Sequence, residues 1–484
     1  MTESRTTWIC LLLAFALLIA GGPSVAWAGE APCPAGAIAI EPGASIQAAV
    51  DRAGDGAVFC LKNGIHRAQS IRPRTGQRFF GEGRTVLDGS RPVSGFRREQ
   101  RYWVATNPFQ PTAAHGECLP SAPTCDRPQI LFIDDRPLIK AASKRAVGKG
   151  QFYIDYDGGK IYLADDPTDR RVEATAAPFA FKGPAADVTI GNITVEKYRN
   201  AAQDGAIDAR EGTGWIIENC EVRLNSGTGI SAGPGSRVQH CAIHHNGQMG
   251  IGGNGNNMLI EDNRIWSNNI YGFDPDWEAG GVKIAESDGV TFRRNHVYDN
   301  NGPGLWCDID CHNVLYEDNL IENNRYMGIH HEISFRAVIR NNVVRHNGSG
   351  KRSWFWGADI DVAASEGVEV TGNKLTVDAG GCGIVLIDQG RRSDSGREYK
   401  TRNNVVHDNE ITFEGAPCAG GVSDTMPGDA NFDIIAKGNN RFDGNTYRVR
   451  RGSGAGRFVW GREVTDWDGF RRKGLEGSGR MVLF

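Results

Sequence analysis

The chain has 484 residues and a formal net charge of -4. That balance provides no bulk field for nucleic acid or an anionic membrane, and it argues against a purely electrostatic polyanion binder. Glycine accounts for 63 residues, about 13% against a usual 7%. No strict glycine period is present, which excludes collagen. High glycine with many asparagines points to tight turns between short strands.

The chain opens on a targeting pattern. Arg5 precedes an apolar run from Ile9 to Ala20, and Ala26-Trp27-Ala28 is a small-x-small cleavage signal. The run is short for a membrane span, although an uncleaved anchor is the alternative. A signal peptide over 1–28 makes the mature protein secreted or periplasmic, free of the membrane and monomeric. Ten cysteines follow it and fall into local couples: Cys33/Cys60, Cys118/Cys125, Cys220/Cys241, Cys307/Cys311 and Cys382/Cys418. An even count in an oxidising compartment favours disulfides. Cys307/Cys311 as a metal pair is the other reading.

Residues 29–100 read as an N-terminal cap and first coils. Ser45 caps a short amphipathic helix with Ile46, Ala49 and Val50 on one face. Such a helix covers the open end of a stack of strands. Residues 101–178 show no repeat. They carry one clean hairpin, FYIDYDGGKIYL, with Asp157-Gly158 at its turn. This insertion is either one wall of a cleft or a packing element.

From 179 to 450 the chain repeats. The unit is an apolar residue, two polar residues, Asn, any residue, then Ile, Val or Leu. The Asn positions are 263, 295, 319, 342, 373 and 409, and Cys220 and Cys241 occupy the same place in earlier units. The steps are 21, 22, 32, 24, 23, 31 and 36 residues, a base period near 22 with three insertions. Strands at this period without helices predict an all-β fold, a single-stranded right-handed parallel β-helix (solenoid) with an N-terminal helical cap and a hairpin insertion. The repeated Asn is a structural ladder that passes hydrogen bonds between coils. Residues 451–484, where the spacing is lost, close the stack.

Alternation along the glycine-led strands places side chains in or out. It turns Lys283, Trp306, His330 and Asp359 outward in one column, with Asp308, Glu332 and Asp361 in a second and Asp310 beyond them. Clustered carboxylates on adjacent coils repel unless a cation or a substrate uses them. Upstream lies the acidic insertion Tyr271-Gly-Phe-Asp274-Pro-Asp276-Trp277-Glu278. Three carboxylates so close suit Ca²⁺, or else form a solvated acidic turn.

The span from about 40 to 450 resembles the pectate lyase-like right-handed parallel β-helix superfamily, whose members are polysaccharide lyases, glycoside hydrolases and uronate epimerases. Glu278-x-x-x-x-Lys283 resembles the spacing of the chondroitinase B and alginate lyase family, in which the Glu binds Ca²⁺ and the Lys is the base. The coil where that family has an Arg reads GLWCDID here. Tyr271-Gly-Phe-Asp274-Pro resembles a motif of secreted mannuronan epimerases, with Asp276-Trp277 standing where the motif has His-Asp.

The resemblance implies an enzyme acting on a polysaccharide. The first expectation is a lyase cleaving a uronate polymer by β-elimination, with Lys283 or His330 as base, Glu332 orienting His330, and Tyr271 donating a proton to the leaving oxygen. Trp306 stacks on a sugar, Asp310, Asp359 and Asp361 bind substrate, and Asp274, Asp276 and Glu278 hold Ca²⁺. The alternatives are a glycoside hydrolase using Asp308 with Glu332 or Asp361, a uronate epimerase, or a non-catalytic carbohydrate-binding solenoid. All the catalytic readings need Lys283 accessible and close to Asp308 and Glu332.

Overall fold

The computed structural model describes residues 33–351, 354–425 and 432–484; the predicted signal peptide lies outside them. Among them, no helix is long and apolar enough to cross a membrane. Three long parallel sheets of 13, 12 and 13 strands wind around one core, and the fold is the expected right-handed parallel β-helix. The core is a file of inward Ile, Val, Leu and Phe side chains, such as Ile260, Ile284, Phe292, Leu305 and Ile329, all fully buried. Each coil alone exposes this file, and stacking removes it from water. At the N-terminal end the helix α1 (Ile46–Arg52) covers the stack. Ser45 accepts from the Ala48 N–H, and Ile46, Ala49 and Val50 face inward.

The Asn ladder forms as the repeat predicts. Asn263, Asn295, Asn319, Asn342, Asn373 and Asn409 each donate Nδ2 to the next Oδ1 at 2.9–3.0 Å, and the run ends through Asn445 on Glu476. The residue before each Asn turns the corner in the left-handed region, with φ of 52–57° at Asp262, Arg294, Asp318 and Asn341. That conformation is unfavourable for a residue with a Cβ, and the ladder bonds hold it. Asn319→Ala removes the acceptor of two Asn295 donors and strands the Phe292 carbonyl. The expected loss is about 2–4 kcal/mol in urea unfolding.

A second ladder was not read from the sequence. Asn225, Asn246, Asn268, Asn300, Asn324 and Asn347 stack in the same way at 2.9–3.1 Å. It ends on Asp359, whose Oδ1 accepts from Asn347 Nδ2 at 2.9 Å and from the Asn347 N–H.

Three of the expected disulfides are present: Cys33–Cys60, Cys118–Cys125 and Cys382–Cys418. Cys220, Cys241, Cys307 and Cys311 are free thiols, which corrects the other two pairings. Cys220 and Cys241 stand at the head of the first ladder. Their thiols donate to the carbonyls of Glu218 and Gln239 at 3.3 and 3.2 Å, and they lie beside each other without a bond between the sulfurs. Cys311 likewise donates to Ile284 and Asp308 carbonyls. Burial raises the Cys241 and Cys307 thiols well above the usual range, which keeps them protonated.

The insertion is larger than one hairpin. Between Ser90 and Thr175 the chain builds a four-stranded and a five-stranded sheet, the second containing the paired strands Gln151–Asp155 and Lys160–Leu163. They share a separate core around Leu131, Phe152 and Ile161. Lys197 of the solenoid is 1% exposed and bonds Glu173 and Asp135 of the insertion at 2.6 and 2.5 Å. An arm of the insertion, closed by Cys118–Cys125, reaches the acidic loop: Leu119 donates to the Gly272 carbonyl, and the Asp274 N–H to that of Glu117.

Candidate active site

Four strands of the 12-stranded sheet carry the site: β1 (Gly280–Ala285), β2 (Leu305–Asp308), β3 (Ile329–Glu332) and β4 (Ile360–Ala363). The glycines before them mark close approach between coils. A Cβ on Gly281 or Gly304 would come within 2.5–2.6 Å of the next coil's carbonyl. The register stacks Lys283 on Trp306, Trp306 on His330 and His330 on Asp361. Asp308 and Glu332 fall in the neighbouring column, one coil apart.

Asp359 is therefore not in the Lys283 column. Ile329 pairs with Ile360, two residues off the alignment read from the sequence, because the insertion before β4 hides the coil boundary. Asp359 sits at the inner corner as the terminal rung of the second ladder, and Asp361 takes the place expected for it.

The loops that wall this face arise at the three long repeat steps. The first carries Tyr271, Phe273 and the short helix α2 (Pro275–Glu278). The second carries Lys351 and Trp356, and the third Arg391 and Arg397. Lys351 forms an ion pair with Asp276, joining the first two walls. Trp356 lies edge-on to His330 with centroids 6.4 Å apart.

These walls bury the chemistry. Lys283 is only 6% exposed; it lies near Asp308 as expected, but the accessibility required of it is not met, because the loop walls close over the strand. The Lys283 Nζ lies 2.9 Å from Asp308, 3.7 Å from Glu278 and 4.0 Å from the Trp306 ring centre. These contacts set Lys283 between two carboxyl groups and the face of an aromatic ring. His330 Nε2 meets Glu332 Oε2 at 3.1 Å, and Arg391 donates to Glu332 Oε1 at 3.2 Å. Both Glu332 oxygens are thus held in one orientation.

The electrostatics separate the carboxyl groups. Burial would raise Glu332, but His330, Arg391 and Lys283 outweigh it and hold the group down at about 2. Burial raises Asp308, reinforced by Glu332 and opposed by Lys283. Burial lifts Asp361 to about 7, against the pull of His330. Burial would lower His330, yet Glu332, Asp361 and Asp308 raise it. Several buried polar atoms here lack a partner: Tyr271 Oη, Trp306 Nε1, His330 Nδ1 and both Asp361 oxygens. Buried polar atoms normally pair; of these, Tyr271 packs with Phe273, Cys118 and Cys125 of the insertion arm and not against the carboxyl pair.

The remaining expected residues have local partners. Asp310 accepts from Tyr399 at 2.9 Å and pairs with Arg397, anchoring the third wall. Asp274 caps α2 by accepting from Asp276 N–H, Asp276 pairs with Lys351, and Glu278 takes Lys283 and Gln203. Their carboxylates are directed to separate partners, so this donor set does not fit one shared Ca²⁺. Among the described residues, a different group (His346, Asp378 and Glu414) brings donor atoms within 4.8 Å of one another.

Residues 205–375 match the family model described as right handed beta helix region, in agreement with the observed coils. No curated protein matches the chain. Among solved structures, one described as the complex structure of XylC with xylose is similar over 91% of this chain and 79% of that one, at 14% identity and a TM-score of 0.57. The A-module of the Azotobacter vinelandii mannuronan C-5 epimerase AlgE6 covers 83% and 88%, at 17% identity and a TM-score of 0.48. A chain described as a glycoside hydrolase covers 84% and 99%, at 11% identity and a TM-score of 0.46. These likenesses are of fold.

Proposed function

We propose that the protein is an exported carbohydrate-active enzyme that hydrolyses a glycosidic bond with retention, using Asp308 and Glu332. The observation that carries this reading is the pair itself: two carboxyl groups one coil apart, about 4.8 Å between strands, in opposite electrostatic environments. Retaining glycosidases hold their carboxyls about 5 Å apart and need one ionised and one proton-bearing. Glu332, fixed by His330 and Arg391, is the ionised member and attacks the anomeric carbon. Asp308, raised by burial and by Glu332 against the pull of Lys283, is assigned the proton that passes to the departing oxygen, and Lys283, 2.9 Å away, then stabilises the carboxylate left behind. Asp308 next takes a proton from a water whose oxygen attacks the anomeric carbon, breaking its bond to Glu332 and releasing the sugar.

The β-elimination reading is weaker on this geometry. It needs a neutral Lys283, and it needs a cation for the uronate carboxylate. His330, Arg391, Arg397 and Lys351 all already face protein carboxylates. A neutral sugar asks for no such cation, and Trp356, edge-on to His330, supplies apolar surface near the pair. The depth of the site, with Asp308 and Glu332 at 6% and 8% exposure, favours a chain end over the middle of a polymer.

The test is a panel of aryl glycosides, neutral oligosaccharides and polyuronides. New reducing ends on short neutral substrates support hydrolysis; unsaturated products from polyuronides would restore the lyase. Because the carboxylates of the acidic turn are engaged singly, EDTA should leave hydrolysis within twofold of its untreated rate. A tenfold loss restored by Ca²⁺ would show that the turn rearranges around the ion.

A further inference from the structure

A cavity opens between the 12-stranded sheet and the insertion, bordered by Gly205 and Asp208 of the one and Thr112 and His115 of the other. It has a volume of about 440 Å³ and is lined by Arg72, His115, Phe179, Arg199 and Asn200, among others, within the range of small-molecule sites. It borders Gly205–Asp208, a strand four places along the sheet from β2, so it lies roughly 19 Å from Asp308 at 4.8 Å per strand.

Three features of its wall call for a ligand. Asn200 is 2% exposed, and its Oδ1 has no partner. Its Nδ2 donates to the Asp204 and Thr228 carbonyls at 2.6 and 2.8 Å, which fixes the amide orientation and leaves a true acceptor facing no donor. The Arg72 guanidinium lies over the Phe179 ring at 5.2 Å. Neither Arg72 nor Arg199 forms an ion pair with a carboxylate among the described residues. The acids of the wall are neutralised elsewhere: Asp208 and Asp204 each accept from Arg210 at 2.6 Å, and Lys182 is 3.2 Å from Asp208.

We infer that this cavity is a separate binding site for an acidic saccharide unit. Two forked cations take the carboxylate or sulfate, the Phe179 face takes the ring, and Asn200 Oδ1 accepts from a hydroxyl. His115 stands between the two sites. It lines this cavity and bonds Gln203 at 2.8 Å, and Gln203 in turn bonds Glu278 beside Lys283. The ligands of the protein then carry neutral sugar at the cleaved bond and an acidic unit at a distance.

The test is calorimetric titration of the mature protein with glucuronate, glucose and inorganic sulfate at low salt. The inference expects glucuronate to bind at least tenfold tighter than glucose and than sulfate. The Arg72→Ala/Arg199→Ala double variant, with an unchanged melting temperature, should lose that preference, whereas Asp308→Asn should keep it. Equal affinity for glucuronate and glucose, or full binding by the double variant, overturns the site. Sulfate binding as tightly as glucuronate reduces it to a bare anion site and overturns the saccharide. Retention of binding in Asp308→Asn separates this result from any failure of the hydrolase reading.

Discussion

Asp308→Asn and Glu332→Gln are each expected to lower kcat on a neutral glycoside by at least a thousandfold while leaving the fold intact. Both changes keep shape and remove a carboxyl group, so they act on the chemistry and not on packing. Proton transfer alone contributes about 10²–10⁴ in such reactions, and losing the nucleophile closes the double displacement altogether. The two variants should differ under rescue. With a small truncation at Glu332, azide can take the nucleophile's place and yield a glycosyl azide of inverted configuration. With Asp308 truncated, a substrate whose leaving group needs no proton should still form the ester rapidly, and azide should then give the retained product. Swapped outcomes would exchange the two roles. Unaltered activity in either variant would remove that residue from the reaction.

Asp361→Asn should stabilise the protein as pH rises, and Asp359→Asn should do the same. Each carboxyl is fully buried and lifted to about 7 from 3.8. The folded chain therefore binds a proton at each site between about pH 4 and pH 7 that the unfolded chain has released. Stability must fall across that window as pH rises, by on the order of 4 kcal/mol per site at 1.36 kcal/mol per unit. Asparagine removes the titration. The gain over wild type should be near zero below pH 4, grow through pH 7 and level off above it. For Asp361 the facing groups are His330, Glu332 and Lys351; His330 and Lys351 reduce the gain and Glu332 adds to it. Urea unfolding at pH 4, 6 and 8 measures it.

Activity separates the two aspartates. Asp359→Asn only replaces the last rung of an Asn ladder with another Asn, and turnover should be unchanged. Asp361 lies 3.9 Å from His330 Nδ1, which orients Glu332. Its variant should lower kcat and shift the pH profile with little change in KM. Equal effects of the two changes on turnover would contradict the register described here.

The solenoid was legible because each coil repeats a demand on the same residue types. Inward aliphatics, glycine at close approaches and Asn at the corner recur near every 22 residues, and each is a strong local constraint. Lys283, Trp306, Asp308, His330 and Glu332 were legible through the period-two alternation of short strands. Asp359 was misplaced because alternation fixes parity but not register: a shift of two residues preserves the in-and-out pattern, and only pairing with Ile329 resolves it. The burial of Lys283 and the roles of Arg391, Lys351 and Trp356 come from loops, where no period carries a side chain's direction. The signal for these loops was nonetheless present. Steps of 32, 31 and 36 residues are the points where extra chain leaves the coil, and they supply the walls. The second ladder was also present, five residues beyond each rung of the first from Asn263 to Asn342. Cys220 and Cys241 show the converse, since adjacency on neighbouring coils leaves them as buried free thiols, each donating to a carbonyl of its own coil.

The most direct test of retaining hydrolysis by Asp308 and Glu332 is proton NMR of the first product formed from a neutral aryl glycoside. The anomeric signal should appear first in the substrate's own configuration and then mutarotate. A product released first in the opposite configuration, or an unsaturated sugar in place of a hydrolysed one, would contradict it.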